Sequence, residues 1–448
     1  MPGLKRVLGL SDLIIYGMIL VQIIAPVPIY GLIQERSNGN ALPTILLGMV
    51  AMMFTALSYG RMTQKYPFAG SAYTYVARSI HPNIGFFIGW AMVLDYLIIP
   101  LISIIIPALV LQRFLPEVPF PILTLIIVLA MTLVNLGGIR IANKANAALF
   151  VVTSAVVLLF LVLACKFLYA KAGIEALFSI KPFYDSTTFS FSSVLSGTSL
   201  AVLTYIGFDG VTTLAEETIN PQKTVVKATI LICLITGIVS SVELYFFELV
   251  QPDWRLFPNL DTAYLDIMQL VGGSILFGIF SAIMCLSQFG SGLSGQTGAA
   301  RLLFGMGRDN VLPHSVFGFL SRKNQNPTYN ILIVGLIAFL GSLLFPLAQA
   351  CDLLNFGAFL GYMGVNLSVI WSFYLKPKAQ HQPKLWKDLL LPLIGFLFCL
   401  VIWLGLPQVS KISGFIWLFI GLFIIGIKTK WFQNRIVLFE FENQKENL

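Results

Sequence analysis

The chain has 448 residues, of which 57% are hydrophobic and only 11% charged, with a mean hydropathy of +0.86. Ordinary soluble domains carry charge on about a quarter of their residues, so this composition excludes one. The net charge of +8 lies in segments between apolar runs, which makes it a signal of membrane orientation and not of a nucleic-acid partner.

Apolar runs of about 20 residues can cross a bilayer as helices, and they recur along the whole chain. The first, about 12–33, follows Lys5-Arg6 and could pass for a signal peptide. It runs on to Leu32 without a small-residue cleavage site, so it is read as a span. Its middle, Ile23-Ile-Ala-Pro-Val-Pro-Ile-Tyr-Gly31, holds two prolines one residue apart. Each proline removes a backbone donor and costs about 3 kcal/mol in a helix interior. A break is expected over Ala25, Pro26, Val27 and Pro28, with Pro28 opening a new half-helix. Spans follow at about 43–63, 84–113, 121–138 and 145–168; the third carries Asp95 and Tyr96 near its centre, ahead of Pro100.

The sixth span, about 192–216, carries Tyr205-Ile-Gly-Phe-Asp-Gly-Val-Thr-Thr-Leu-Ala-Glu-Glu217. Gly207, Asp209 and Gly210 interrupt it where a helix should be continuous. A carboxylate at mid-bilayer costs roughly 3 kcal/mol and marks a substrate or ion pathway. Further spans are expected at about 225–250, 274–306, 328–346, 351–375, 388–406 and 412–429, with a solvated tail from 431 to 448. Glu243 falls near the end of the seventh, either snorkelling to a vestibule or serving the site. Ser287, Ser291 and Ser294 in the eighth either supply hydroxyls to a sodium ion or allow close helix packing.

With the N-terminus inside, the external segments hold only Arg36, Arg113, Lys166, Lys171, Lys181, Arg255 and Lys411 of the 28 lysines and arginines. This asymmetry places both termini in the cytoplasm. Glu216 and Glu217 end the sixth helix, where the helix dipole disfavours negative charge, so they are expected to pair with Lys223, Lys227, Arg61 or Arg78. The five cysteines show no CxxC spacing, and His81, His314 and His381 fall in loops. Neither a metal nor another cofactor is therefore expected.

The breaks fall in the first helix of each group of five. The chain divides as 1–169 and 170–380, two repeats of opposite orientation, followed by peripheral helices over 381–430. Interrupted helices at matching positions of inverted repeats mark a transporter's midplane site. The half-helices after Pro28 and Gly210 offer positive N-terminal ends to a carboxylate. The halves ending near Ile24 and Ile206 offer carbonyls to an ammonium or metal cation.

Several motifs occur in order and resemble the amino acid–polyamine–organocation transporters. They are Pro67-Phe-Ala-Gly-Ser-Ala-Tyr-Thr-Tyr75, Gly85-Phe-Phe-Ile-Gly-Trp90, the Gly207-Phe-Asp209 break with Ala215-Glu-Glu217 and Asn220-Pro221, and Ala300-Arg-Leu-Leu-Phe-Gly-Met-Gly-Arg-Asp-Asn-Val-Leu-Pro313. Leu94-Asp-Tyr96 and Asn355-Phe-Gly-Ala358 add a likeness to bacterial putrescine importers. The resemblance implies an all-α membrane protein of about twelve helices, a 5+5 inverted-repeat core with two peripheral helices. The chain departs from it twice. Ile29-Tyr-Gly31 stands where relatives can carry an acid after the first break. Thr153, with Ser154, stands where proton-coupled members place a lysine, which leaves the coupling ion open between a proton and sodium.

The expected function is a non-enzymatic permease of the bacterial inner membrane, importing a polyamine such as putrescine or an amino acid by alternating access with a proton. The expected substrate contacts are Ala25, Pro26, Val27, Pro28, Asp95, Tyr96, Tyr205, Gly207, Phe208, Asp209 and Gly210. Asp209, Asp95, Thr153 and Ser291 are the expected coupling residues. Tyr205 and Phe208 either occlude the substrate or pack in the core. An amino acid exchanger and a sodium symporter are alternatives, and a channel or substrate-sensing receptor is a more distant one. An intramembrane enzyme is disfavoured by the lack of HExxH, GxSxG or a histidine in any span.

Overall fold

The computed structural model describes residues 6–67, 72–137, 142–308, 312–321, 326–377 and 382–428. Motif positions 68–71 and 309–311, His381 and the 431–448 tail lie outside them. Among the described residues the fold is all-helical; the sole departure is one isolated parallel bridge between Leu8 and Thr218. All twelve expected spans are present. Ten helical stretches are long and apolar enough to cross a membrane, and two shorter apolar helices, Leu10–Val21 and Thr328–Leu344, belong to the first and ninth spans.

In chain order the helices are α1 (Leu10–Val21), α2 (Tyr30–Arg36), α3 (Ala41–Lys65), α4 (Ala72–Ser79), α5 (Pro82–Gln112), α6 (Phe120–Gly137) and α7 (Ala142–Ala172). Then come α8 (Phe191–Ala201), α9 (Pro221–Val250), α10 (Ala263–Arg308), α11 (His314–Phe317), α12 (Thr328–Leu344), α13 (Leu347–Val369), α14 (Leu391–Leu404) and α15 (Gln408–Lys428). The sequence misses α4, α11 and the start of α10. The last is a short helix before Gly273, whose φ of 62° bends α10 where the apolar run begins.

The helices pack as two units that interleave in the sequence. One comprises Met1–Tyr75, Ala145–Ser287 and Tyr362–Pro407; the other comprises Val76–Lys144, Gln288–Gly361 and Gln408–Leu448. Each draws on both sequence halves, so the packing boundaries differ from the expected repeat boundary at 169/170.

In the first unit α3 lies along α9, α14 and α8, and α1 lies along α9. Gly237 faces Met49 and Gly60 faces Val226, so backbones approach closely, as membrane helices do without a hydrophobic drive between them. Asn366 donates to Thr55 Oγ1 at 3.2 Å, and the Thr55 hydroxyl meets Cys399 Sγ at 3.4 Å. In the second unit Trp90 of α5 and Trp417 of α15 stack at 4.6 Å. Each indole N–H donates to the other residue's carbonyl, at 2.8 and 2.9 Å. Asn135 donates to Gln296 Oε1 at 2.7 Å, and Gln296 donates to Thr132 Oγ1 and to the Ile331 carbonyl at 2.9 and 3.0 Å. That buried network ties α6, α10 and α12 with its polar atoms satisfied, as a water-free interior requires.

The outward faces are apolar. Leu129 and Leu133 on α6, Leu158 and Val162 on α7, Leu336 and Leu340 on α12, and Phe419 and Phe423 on α15 are all exposed at helical spacing. Apolar stripes of this extent fit lipid and not water.

Candidate functional site: two broken helices

The first break lies in the first unit. α1 ends at Val21, and Gln22 takes φ 62°, ψ 123°, a conformation that costs a non-glycine residue about 1–3 kcal/mol. The chain then turns, with Ala25 N–H donating to the Gln22 carbonyl at 3.0 Å and Val27 N–H to the Ile24 carbonyl at 3.1 Å. Val27–Ile29 form one 3-10 turn that leads into α2. Pro26, Val27 and Pro28 are buried and Ala25 is half-buried.

The second break lies in the same unit. α8 gives way to a 3-10 turn over Val202–Tyr205, Ile206 is extended, and Gly207 takes φ 108°. A second half runs Phe208–Glu217, and it is 3-10 instead of α. The break therefore falls at Ile206-Gly207, where the first half was expected to end, and the second half starts at Phe208, three residues before the expected start after Gly210. Gly210 sits inside the second half, its N–H donating to the Gly207 carbonyl at 3.0 Å.

The two breaks meet. A Cβ on Gly207 would lie 3.4 Å from the Leu20 carbonyl carbon and oxygen, so the interrupted backbones touch at the end of α1. Asp209 is half-buried beside this contact. Its Oδ2 accepts from Tyr59 OH on α3 at 3.2 Å, and its main-chain carbonyl accepts from Thr212 Oγ1 at 2.7 Å. The Tyr59 ring touches Tyr75, Phe208 and Tyr362 at centroid distances of 6.0, 5.5 and 6.2 Å, and Phe208 meets Tyr362 at 5.5 Å. The carboxylate is thus held by one hydroxyl of a packed aromatic cluster whose rings are fully buried. Faces of such rings attract organic cations. No sequence signal singles out Tyr59 or Tyr362 from the other aromatics of their apolar helices, such as Phe54, Phe356 and Phe359; Tyr75 falls in the motif after the second span.

An amino acid permease family model matches residues 23–431, nearly the whole of this architecture. The chain belongs to that family. The permease is 33% identical over 441 residues to the low-affinity putrescine importer PlaP of Escherichia coli, covering 98% of this chain and 96% of the relative. It is 27% identical to the branched-chain amino acid permease BcaP of Bacillus subtilis, covering 94% and 92%. A vacuolar cationic amino acid transporter of Arabidopsis thaliana, transporter 4, is 26% identical over 78% of this chain and 60% of its own length. The protein is therefore a multi-pass membrane transporter of the amino acid–polyamine–organocation superfamily, and not an enzyme.

The permease places its other expected site residues as follows. Tyr205 is fully buried, its OH donating to the Ile45 carbonyl at 2.8 Å, which ties the second break to α3. Thr153 on α7 meets Ser287 on α10 at 3.3 Å between hydroxyl oxygens. Asp95, Tyr96 and Ser291 belong to the second unit. Asp95 is buried on α5, Tyr96 is exposed with its ring over Gly298, and Ser291 is half-buried on α10.

Two open alternatives are narrowed. Arg61, one of four bases offered for Glu216 and Glu217, pairs with the buried carboxylate of Asp388 and lies over the Phe373 ring at 4.4 Å. An Asp388 at zero exposure must find its counter-ion, and Glu217 instead uses its main-chain carbonyl, accepting from Val7 and Leu8 N–H at 2.8 and 3.0 Å. Glu243 does not snorkel. It is 1% exposed, because it shares the face of α9 that packs inward.

Proposed function

We propose that this permease imports a small organic cation, a polyamine such as putrescine or an amino acid, across the bacterial inner membrane by alternating access and with proton coupling. The contact of the two broken helices at Gly207 and Leu20, with the half-buried Asp209 carboxylate bonded to Tyr59 of an aromatic cluster, is the observation that carries this reading. The expected 5+5 inverted repeat supplies its geometry: matched breaks at a midplane site around which helices rock. The ammonium of the substrate meets Asp209 and the ring faces of the cluster, while free backbone groups at the breaks receive a carboxylate where the substrate has one. Asp95 and Tyr96 are proposed as substrate contacts within the second unit. The name of the Escherichia coli relative agrees with a diamine cargo.

A second reading, sodium coupling, is favoured by the Thr153–Ser287 hydroxyl pair. Exchange of amino acids is the remaining alternative. Uptake of labelled putrescine into proteoliposomes with an imposed pH gradient, with or without sodium, separates the three. Accumulation driven by the proton gradient without sodium is expected. Uptake indifferent to pH gradient and membrane potential, with counterflow retained, would instead identify an exchanger.

A further inference from the structure

α9 carries a second buried carboxylate that none of the site described above uses. Both oxygens of Glu243 are buried without a hydrogen-bond partner. Leaving a carboxylate charged and unpaired away from water costs far more than any single contact returns, so such a group is neutralised.

The location of Glu243 gives the neutralisation meaning. Thr236, Ser240, Glu243 and Phe247 are all buried and recur at the three-to-four-residue spacing of one helix face. At one end of this stripe Thr236 Oγ1 lies 3.7 Å from Met18 Sδ, just before the first break. At the other end the Phe247 ring meets Tyr30 at 4.9 Å, just after it. Glu243 is therefore level with the unwound stretch of the first helix. A rise of about 1.5 Å per residue sets it about 10 Å along α9 from Thr236.

The titratable groups on the surrounding elements are Asp12 and Tyr16 on α1, Tyr30, Glu35 and Arg36 on α2, and Tyr59, Arg61 and Lys65 on α3. The second broken helix adds Tyr205, Asp209, Glu216 and Glu217, and α7 adds Cys165, Lys166, Tyr169 and Lys171. α9 itself carries Lys223, Lys227, Cys233, Tyr245 and Glu248. None reaches either Glu243 oxygen. Glu248, five residues on, is different: its Oε1 accepts from the Leu42 N–H at 3.0 Å, at the start of α3. A metal cation is a poor occupant beside Glu243, since it needs several converging oxygens; a proton needs one.

We propose that Glu243 is a proton-binding site of the permease, neutral while buried at the level of the first break and exchanging its proton with water as the bundle opens. The carboxylate takes up one proton and becomes a carboxylic acid, then returns the same proton to solution, with no other bond changed. This rests on the proton-coupled reading above and adds a second carboxylate to it.

The test is infrared spectroscopy of the full-length protein in lipid nanodiscs at neutral pH, in H2O and in D2O. A protonated-carboxyl C=O band is expected in the wild type. It should vanish in Glu243→Gln and persist in Glu248→Gln and Asp209→Asn; a wild type without a Glu243-dependent band overturns the proposal. Glutamine matches the protonated acid in shape and charge, so the fold should hold. If it does not, Glu243→Asp keeps the acid and should shift the band, and an unshifted band overturns the assignment. In proteoliposomes, Glu243→Gln should keep counterflow but lose about tenfold in pH-driven accumulation, about 1.4 kcal/mol; accumulation equal to wild type overturns the exchange step. The infrared measurement needs no substrate, so its failure and a failure to import putrescine or amino acids are separate results.

Discussion

Asp209 and Gly207 show how two adjacent kinds of residue make one site. Glycine at position 207 is required by its φ of 108°, while a Cβ there would meet the Leu20 backbone at an ordinary contact distance of 3.4 Å. Gly207→Ala is expected to cost about 1–2 kcal/mol, read as a lower midpoint in thermal unfolding of the detergent-solubilised protein. Asp209 was legible as an anomaly, an acid in an apolar run, but its partner was not. Tyr59→Phe keeps the aromatic cluster and removes one donor to that carboxylate, a loss of about 1.5 kcal/mol. A lowered thermal midpoint is expected, together with weakened putrescine binding in equilibrium binding. Asp209→Asn should abolish pH-driven accumulation, a loss of about tenfold or more. Unchanged accumulation would leave Asp209 a purely structural tie between the unwound backbone and α3.

At the scale of elements, breaks and spans were readable and junctions were not. Two prolines in one span and a Gly-Phe-Asp-Gly stretch in another mark interruption by chain chemistry alone. The break at Gly207 was readable, but the start of the second half at Phe208 in place of Val211, and its 3-10 form, were not. The seat of α14 is likewise a tertiary matter. Asp388 starts that span, and nothing in its neighbourhood of sequence names Arg61, 327 residues away, as its partner. Removing the guanidinium strands a buried charge, so Arg61→Ala should destabilise by about 3 kcal/mol. The double variant Arg61→Ala/Asp388→Asn should recover part of that in the same unfolding assay.

At the scale of the whole molecule, the permease turns apolar stripes to lipid and keeps its polar groups for the interior. Composition forecast this arrangement, since in a bilayer every buried backbone and side-chain polar group must find a partner within the protein. A substrate that binds only the folded protein stabilises it by about 2.7 kcal/mol at a hundredfold excess over its Kd. Diamines and cationic amino acids should therefore raise the thermal midpoint, and neutral branched-chain amino acids should not. The reverse pattern would move the permease towards the amino acid side of its family.

The sequence by itself determined the class, the twelve spans and the two interrupted helices, because spans and breaks depend on local hydropathy and on proline and glycine backbone chemistry. Only the tertiary structure decided that the breaks touch, that Tyr59 of an aromatic cluster holds Asp209, and that Glu243 is buried instead of snorkelling. Those facts depend on which helix faces meet. An apolar run encodes its helix strongly, but in a membrane almost any of its faces is apolar enough to point inward.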